Sequence, residues 1–250
     1  MKIIISPAKK MNVDTDTMAW RQLPVFLEDA KKLCREIQEM SYNEAKALWG
    51  CNDKIATLNY NRFKSMELKT NLTPAILTYE GLCYQYMAPI VFSQEAYEYV
   101  EANLRILSGF YGILSPFDGV VPYRLEMQAK MHIEGKRSLY TYWGERIYKE
   151  LVKEDDVIIN LASKEYSRVV EKYVTKDVQF ITCIFGEVIK GKIVQKSSFA
   201  KMARGEMVRF MAENEITEVE QIKEFSGLGY CYKEEYSSEK EFVFIKHGCN

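Results

Sequence analysis

The sequence predicts an α+β fold: a single compact domain over residues 1–250, with a central mixed sheet surrounded by helices. Three observations carry this. Helical apolar periodicity dominates the first half of the chain, short β-branched runs concentrate in the second, and no repeat, low-complexity tract or linker separates the halves. The 250 residues suffice for a sizeable core, and 47% hydrophobic against 28% charged residues excludes disorder over the whole chain.

Each element follows from its local pattern. Lys2 to Ser6 is short and β-branched and reads as a buried strand. Residues 7–20 form a loop rich in the turn formers Asp14, Thr15, Asp16 and Thr17. From Pro24, the residues Leu23, Phe26, Leu27, Ala30, Leu33, Cys34 and Ile37 recur at helical spacing. Ser41-Tyr42-Asn43-Glu44 has capping-box form before a second helix through Trp49, and 52–66 reads as a third. Thr73-Pro74 ends this run; Pro74 to Thr78 is open between strand and helix start. Ser93 caps a helix from Gln94 to Leu107. Gly109, Gly112, Pro116, Gly119 and Pro122 punctuate a loop-rich stretch, and Ser138 to Leu151 is helical. Val157 to Leu161 is the clearest interior strand, followed by a helix from Ser163 to Tyr173. Phe180 to Phe185 and Lys192 to Val194 read as strands paired near Gly191. A helix runs from Ser198 to Ala212, a capping box at Thr217-Glu218-Val219-Glu220 begins a shorter one, and Glu241 to Lys246 is a final strand.

Charge narrows the function classes. With 34 Lys+Arg against 35 Asp+Glu, nucleic-acid binding requires a local patch. No apolar run spans a membrane, and the apolar start Ile3-Ile4-Ile5 is too short for a signal peptide, so a cytoplasmic location is expected. The cysteines Cys34, Cys51, Cys83, Cys183, Cys231 and Cys249 form no C-x-x-C pair and read as free thiols. The two histidines, His132 and His247, sit in no ligand or triad motif, so neither a metal site nor any cofactor is expected; His247 reads as a surface residue.

Four segments carry candidate chemistry. Ser6-Pro7-Ala8-Lys9 leaves a hydroxyl and an ammonium at a strand end, where ligands of open sheets bind, or is a plain turn. Asn160-Leu161-Ala162-Ser163 repeats that layout, and Ser163 either caps the next helix or helps its N-terminus hold an anion. Gly109-Phe110-Tyr111-Gly112 reads as a tight apolar turn. It is followed by Tyr123, Arg124 and Glu126, where an Arg beside Pro122 suits phosphate or carboxylate, or Arg124 simply contacts Glu126. In the helix from Phe199 to Met211, Lys201, Arg204 and Arg209 share one face with Gly205, and Lys196 lies upstream. Glu206 is the one acid from 196 to 211. Such a face is either solvated or an anion site, and Gly205, unfavourable inside a helix, argues for close approach of a phosphate or a second backbone. Tyr140, Tyr142 and Trp143, like Tyr79, Tyr84 and Tyr86, read as base-stacking or core aromatics.

Together these motifs resemble the bacterial YaaA family of peroxide-stress proteins. The residues carrying the resemblance are Ile5 to Lys9, Leu104 to Gly112, Pro122 to Met127, Trp143-Gly144, Asn160 to Ser163 and Lys201 to Gly205. The resemblance implies a cytosolic α+β protein that limits free iron and oxidative DNA damage under hydrogen peroxide. It also implies a positively charged cleft, a helix-hairpin-helix-like element and affinity for double-stranded DNA. The expected DNA or anion contacts are Ser6, Lys9, Gly109, Gly112, Tyr123, Arg124, Trp143, Asn160, Ser163, Lys201, Arg204 and Arg209. The alternative is an enzyme acting on a nucleobase, nucleotide or small anionic metabolite. In it Glu126 or Glu165 serves as acid/base and a desolvated Lys9 as nucleophile. An iron buffer is disfavoured by the scattered Cys and His.

Overall fold

The computed structural model describes residues 1–246; His247 and Cys249 lie outside them. The chain opens with β1 (Lys2–Ile5) and β2 (Lys10–Met11), then α1 (Leu27–Glu39), α2 (Tyr42–Trp49) and α3 (Asp53–Lys64). β3 (Thr73–Pro74), α4 (Ala75–Thr78), β4 (Tyr79–Glu80) and α5 (Leu82–Met87) follow in quick succession, so Pro74 to Thr78 is strand end and then helical turn. Next come α6 (Gln94–Asn103), β5 (Leu104–Ser108), β6 (Gly112–Leu114) and β7 (Gly119–Val120). The remainder is α7 (Leu139–Trp143), α8 (Arg146–Leu151), β8 (Val157–Asn160), α9 (Lys164–Glu171), β9 (Gln179–Ile189), β10 (Lys192–Val194), α10 (Ser197–Glu213), β11 (Tyr230–Tyr232) and β12 (Glu241–Lys246).

The eight-stranded sheet runs β11-β12-β9-β8-β1-β5-β6, with β10 added antiparallel to β9. Its five middle strands are parallel, and β6 and β11 are antiparallel additions. Ile3, Ile4 and Ile5 of β1 have no exposed surface, because helices cover both faces of a parallel sheet and alternation disappears. From β1 the chain crosses to β5 on one side and returns to β8 on the other. β1 and β8 therefore flank a topological switch point, where a crevice opens beyond the carboxyl ends of the strands.

Local signals hold where capping chemistry set them. Ser41 and Glu44 form the predicted capping box, and the β9–β10 hairpin turns at Gly191 with φ +74°. Other boundaries are corrected. α6 stops at Asn103, because Leu104, Ile106 and Leu107 are taken up by pairing beside β1 and become wholly buried. The helix expected over 138–151 is two, broken at Gly144, whose φ of +54° with ψ −137° no helix accommodates. The Thr217 box is displaced by one residue, with Glu218 and Gln221 capping a 3-10 turn over Val219–Glu224. Gly109–Gly112 joins two antiparallel strands, not two helices, so the helix-hairpin-helix expectation fails on these residues. Among the described residues no helix is long and apolar enough to cross a membrane.

Candidate functional site

The strand-end loops are stitched together by Ser6. Its Oγ accepts the Ser163 backbone N–H at 2.8 Å and donates to Ser163 Oγ at 3.2 Å. Ser163 occupies the N-cap position of α9, yet its side chain makes no capping bond because it is engaged by Ser6. Tyr84 on α5 donates its hydroxyl to the Ser6 carbonyl at 3.0 Å, which fixes α5 over the same loop.

Beyond these loops lies a hollow of about 410 Å³, floored by Ser6, Leu161 and Ser163 and walled by Tyr84, Tyr123 and Tyr166. Lys9, Lys10, Arg124, Lys201 and Arg204 line it with Glu80, Glu126 and Glu165. Lys10 pairs with Glu80. Glu126 is shared, with Oε2 2.8 Å from Lys9 Nζ and Oε1 accepting from Arg124 Nη2 at 2.9 Å. Lys201 and Arg204 have no carboxylate partner among the described residues, which leaves the lining with a net of two positive charges. Burial pulls the Arg204 pKa below the ordinary arginine range and pushes the neighbouring Cys83 and Cys183 thiols up to about 12, so these thiols are inert. Burial also raises Glu165 above the usual carboxylate range; the Gln128 N–H opposes this and the charge of Glu126 adds to it. Burial raises Tyr123 to about 12, and hydrogen bonds from Ser108 and Tyr79 hold it from going higher.

Ser6, Lys9, Tyr123, Arg124, Glu126, Ser163, Lys201 and Arg204 thus come together from four distant segments. Five other candidates do not line the hollow. Trp143 is wholly buried, its Nε1–H donating to the Gly109 carbonyl at 3.0 Å, so its ring offers no face to a base. The amides of Phe110 and Tyr111 within the Gly109–Gly112 turn both donate to Ser108 Oγ and are unavailable to phosphate. Gly109 is required by packing, since a Cβ there would lie 2.4 Å from the Leu125 carbonyl oxygen, and Gly112 packs on the Trp143 ring. Asn160 is buried and braces its own loop, accepting from the Ala162 N–H and donating to Thr182 Oγ1. Arg209 turns away and pairs with Glu213 one helical turn on.

Gly205 is likewise explained without phosphate. A Cβ there would come within 1.9 Å of the Cys83 carbonyl oxygen, so the close neighbour of α10 is the backbone of α5. Lys9 is exposed over 64% of its side chain, so the desolvation that a nucleophilic lysine needs is missing. Sequence reasoning named Tyr84 among stacking or core aromatics but placed neither it nor Tyr166 in the wall of the hollow; only Tyr166, three residues after Ser163, has a local signal.

Fold and site together define a class: α+β proteins with a mixed sheet and a cationic hollow at its switch point. Residues 1–236 match the family model described as peroxide stress protein YaaA, and the chain belongs to that family. It is 56% identical to a UPF0246 protein of Desulfitobacterium hafniense, over 98% of both chains. It is 50% identical to one of Lachnoclostridium phytofermentans, over all of this chain and 98% of that one, and 52% identical to one of Agathobacter rectalis, over 98% of both.

Proposed function

We propose that the protein acts in the cytoplasm under peroxide stress by binding duplex DNA, with Lys9, Lys10, Arg124, Lys201 and Arg204 contacting phosphates. One observation carries the reading: five cations from three distant segments gather around one hollow of a chain whose formal net charge is −1. Lys201 and Arg204 lack carboxylate partners among the described residues, so an incoming phosphate supplies the missing anion. Binding of this kind releases counterions, is independent of sequence and weakens with salt. The limiting of free iron and of oxidative DNA damage belongs to the same reading. We assign it no metal ligands, and among the described residues no three His, Cys, Asp or Glu side chains form a metal-binding group.

Titration of a duplex at two salt concentrations tests this. Lys201→Glu is expected to weaken binding about tenfold at low salt and to flatten the salt dependence, as loss of one phosphate contact predicts. Arg209→Glu, outside the hollow, is expected to change little. Absence of binding at low salt, or equal losses in the two variants, overturns the proposal.

A second reading, an enzyme on a nucleobase, nucleotide or small anionic metabolite, is favoured by Glu165. A carboxyl in a largely apolar hollow, held above its usual range by burial, is suited to general acid chemistry.

A further inference from the structure

At Tyr123, which lines the hollow, three hydroxyls meet whose protons can be assigned. Ser108 Oγ, wholly buried, accepts the N–H groups of Phe110 at 3.1 Å and Tyr111 at 2.9 Å. A serine hydroxyl has two acceptor sites and one proton, so both acceptor sites are filled and the proton must be donated. Its partner is Tyr123 Oη, 2.6 Å away. Tyr79 Oη lies 2.8 Å from the same Tyr123 oxygen and has no other hydrogen-bond partner among the described residues. If Tyr79 accepted from Tyr123, its own proton would be buried without an acceptor, at a cost of about 1–3 kcal/mol. Tyr79 therefore donates, and the Tyr123 oxygen receives two hydrogen bonds. Its own proton is left without a protein acceptor, on a residue that lines the hollow.

The Tyr123 ring cannot readily turn away. It stacks on Phe110 at 4.9 Å between centroids and meets the Tyr111 ring edge-on, and its backbone N–H is held by Met11 Sδ at 3.3 Å. A fixed, doubly polarised hydroxyl on a residue that lines a largely apolar cavity, with the cations Arg124 and Arg204 also lining it, is a preorganised donor for a negatively charged oxygen. The geometry points to Tyr123 as the hydrogen-bond donor to a small planar ligand bearing an ionised ring oxygen, such as a phenolate or the enolate form of an oxo-heterocycle, with Ser108 and Tyr79 as its positioning residues. This rests on the small-ligand reading of the hollow and is independent of DNA contacts at its rim.

Binding of nitrophenols of graded acidity, followed by their visible absorption, tests it. The purified protein is expected to bind the ionised form about tenfold or more tighter than 4-nitroanisole, which has no ionisable oxygen, and to lower the pH at which the bound phenol ionises. Tyr123→Phe removes the preference and the shift in ionisation. Ser108→Ala and Tyr79→Phe each reduce both in part, with melting transitions checked to show that the variants are folded. The inference is overturned if no nitrophenol binds saturably, if binding ignores ionisation, if Tyr123→Phe binds like the parent, or if Tyr79→Phe binds more tightly. Nucleotide binding that persists unchanged in Tyr123→Phe sinks this inference and leaves the small-ligand reading standing.

Discussion

Replacing Gly205 with alanine is expected to destabilise the protein by about 3 kcal/mol, the upper part of the range for forcing extra atoms into a packed interior. The added Cβ would meet the Cys83 carbonyl oxygen at 1.9 Å, with Cys83 C at 2.8 Å and Met87 N at 2.9 Å. These are backbone atoms of α5 and its first turn, so no rotamer change relieves them. α5 cannot simply retreat, because Tyr84 is bonded to the Ser6 carbonyl and the helix is anchored to the strand-end loop. The improvement in helix propensity, about 1 kcal/mol from glycine to alanine, is too small to offset the clash. Urea unfolding is the measurement. A variant as stable as the parent would mean that α10 and α5 do not approach as closely as the structure has them. Because α10 carries Lys201 and Arg204, the same variant is also expected to weaken the DNA binding proposed above at low salt, whereas a remote destabilisation would not.

Asp118 should give the protein a distinct dependence on pH. It is 2% exposed, with Oδ1 accepting from Gln22 Nε2 at 2.8 Å and Oδ2 from the Ser115 N–H at 2.9 Å. Burial raises its pKa from 3.8 to about 6 despite these bonds and the charge of Arg105. Between those two values the folded protein holds a proton that the unfolded chain has released, so stability falls as pH rises through the window. At about 1.4 kcal/mol per pH unit the loss is about 3 kcal/mol by pH 7. Asp118→Asn cannot ionise. Whatever its stability at pH 4, its difference from the parent should move by about 2 kcal/mol in its favour between pH 4 and pH 7. Denaturant titrations of both proteins at the two values measure this. A constant difference would show that Asp118 titrates at its ordinary value.

The sequence disclosed those parts of the fold that local chemistry decides. Ile3 to Ile5 announce a buried strand because no polar residue interrupts them, and Ser41 with Glu44 announces a helix start because the two residues cap each other. Leu104 to Ser108 misled because four of its five residues also suit a helix tail. Only β1, a hundred positions earlier in the chain, makes it a strand. The site was half legible. Polar loops after β1 and β8 pointed to one crevice, since parallel strands deliver such loops to the same edge. Glycine misled: a residue without a side chain shows that something comes close, not what comes close. At Gly205 the neighbour is α5, and at Gly109 it is the backbone of Leu125 and Glu126. Trp143 misled similarly, because the indole that would suit a base is spent on an interior carbonyl.

The position of β1 also bears on how the protein is made. β1 sits in the middle of the sheet, and its neighbours there are not synthesised until residues 104 and 157 are reached. Three consecutive isoleucines must wait, unpaired, until β5 is made, and lack their second neighbour until β8 is. A nascent chain of this kind acquires its native order late and depends on protection from aggregation until β8 emerges.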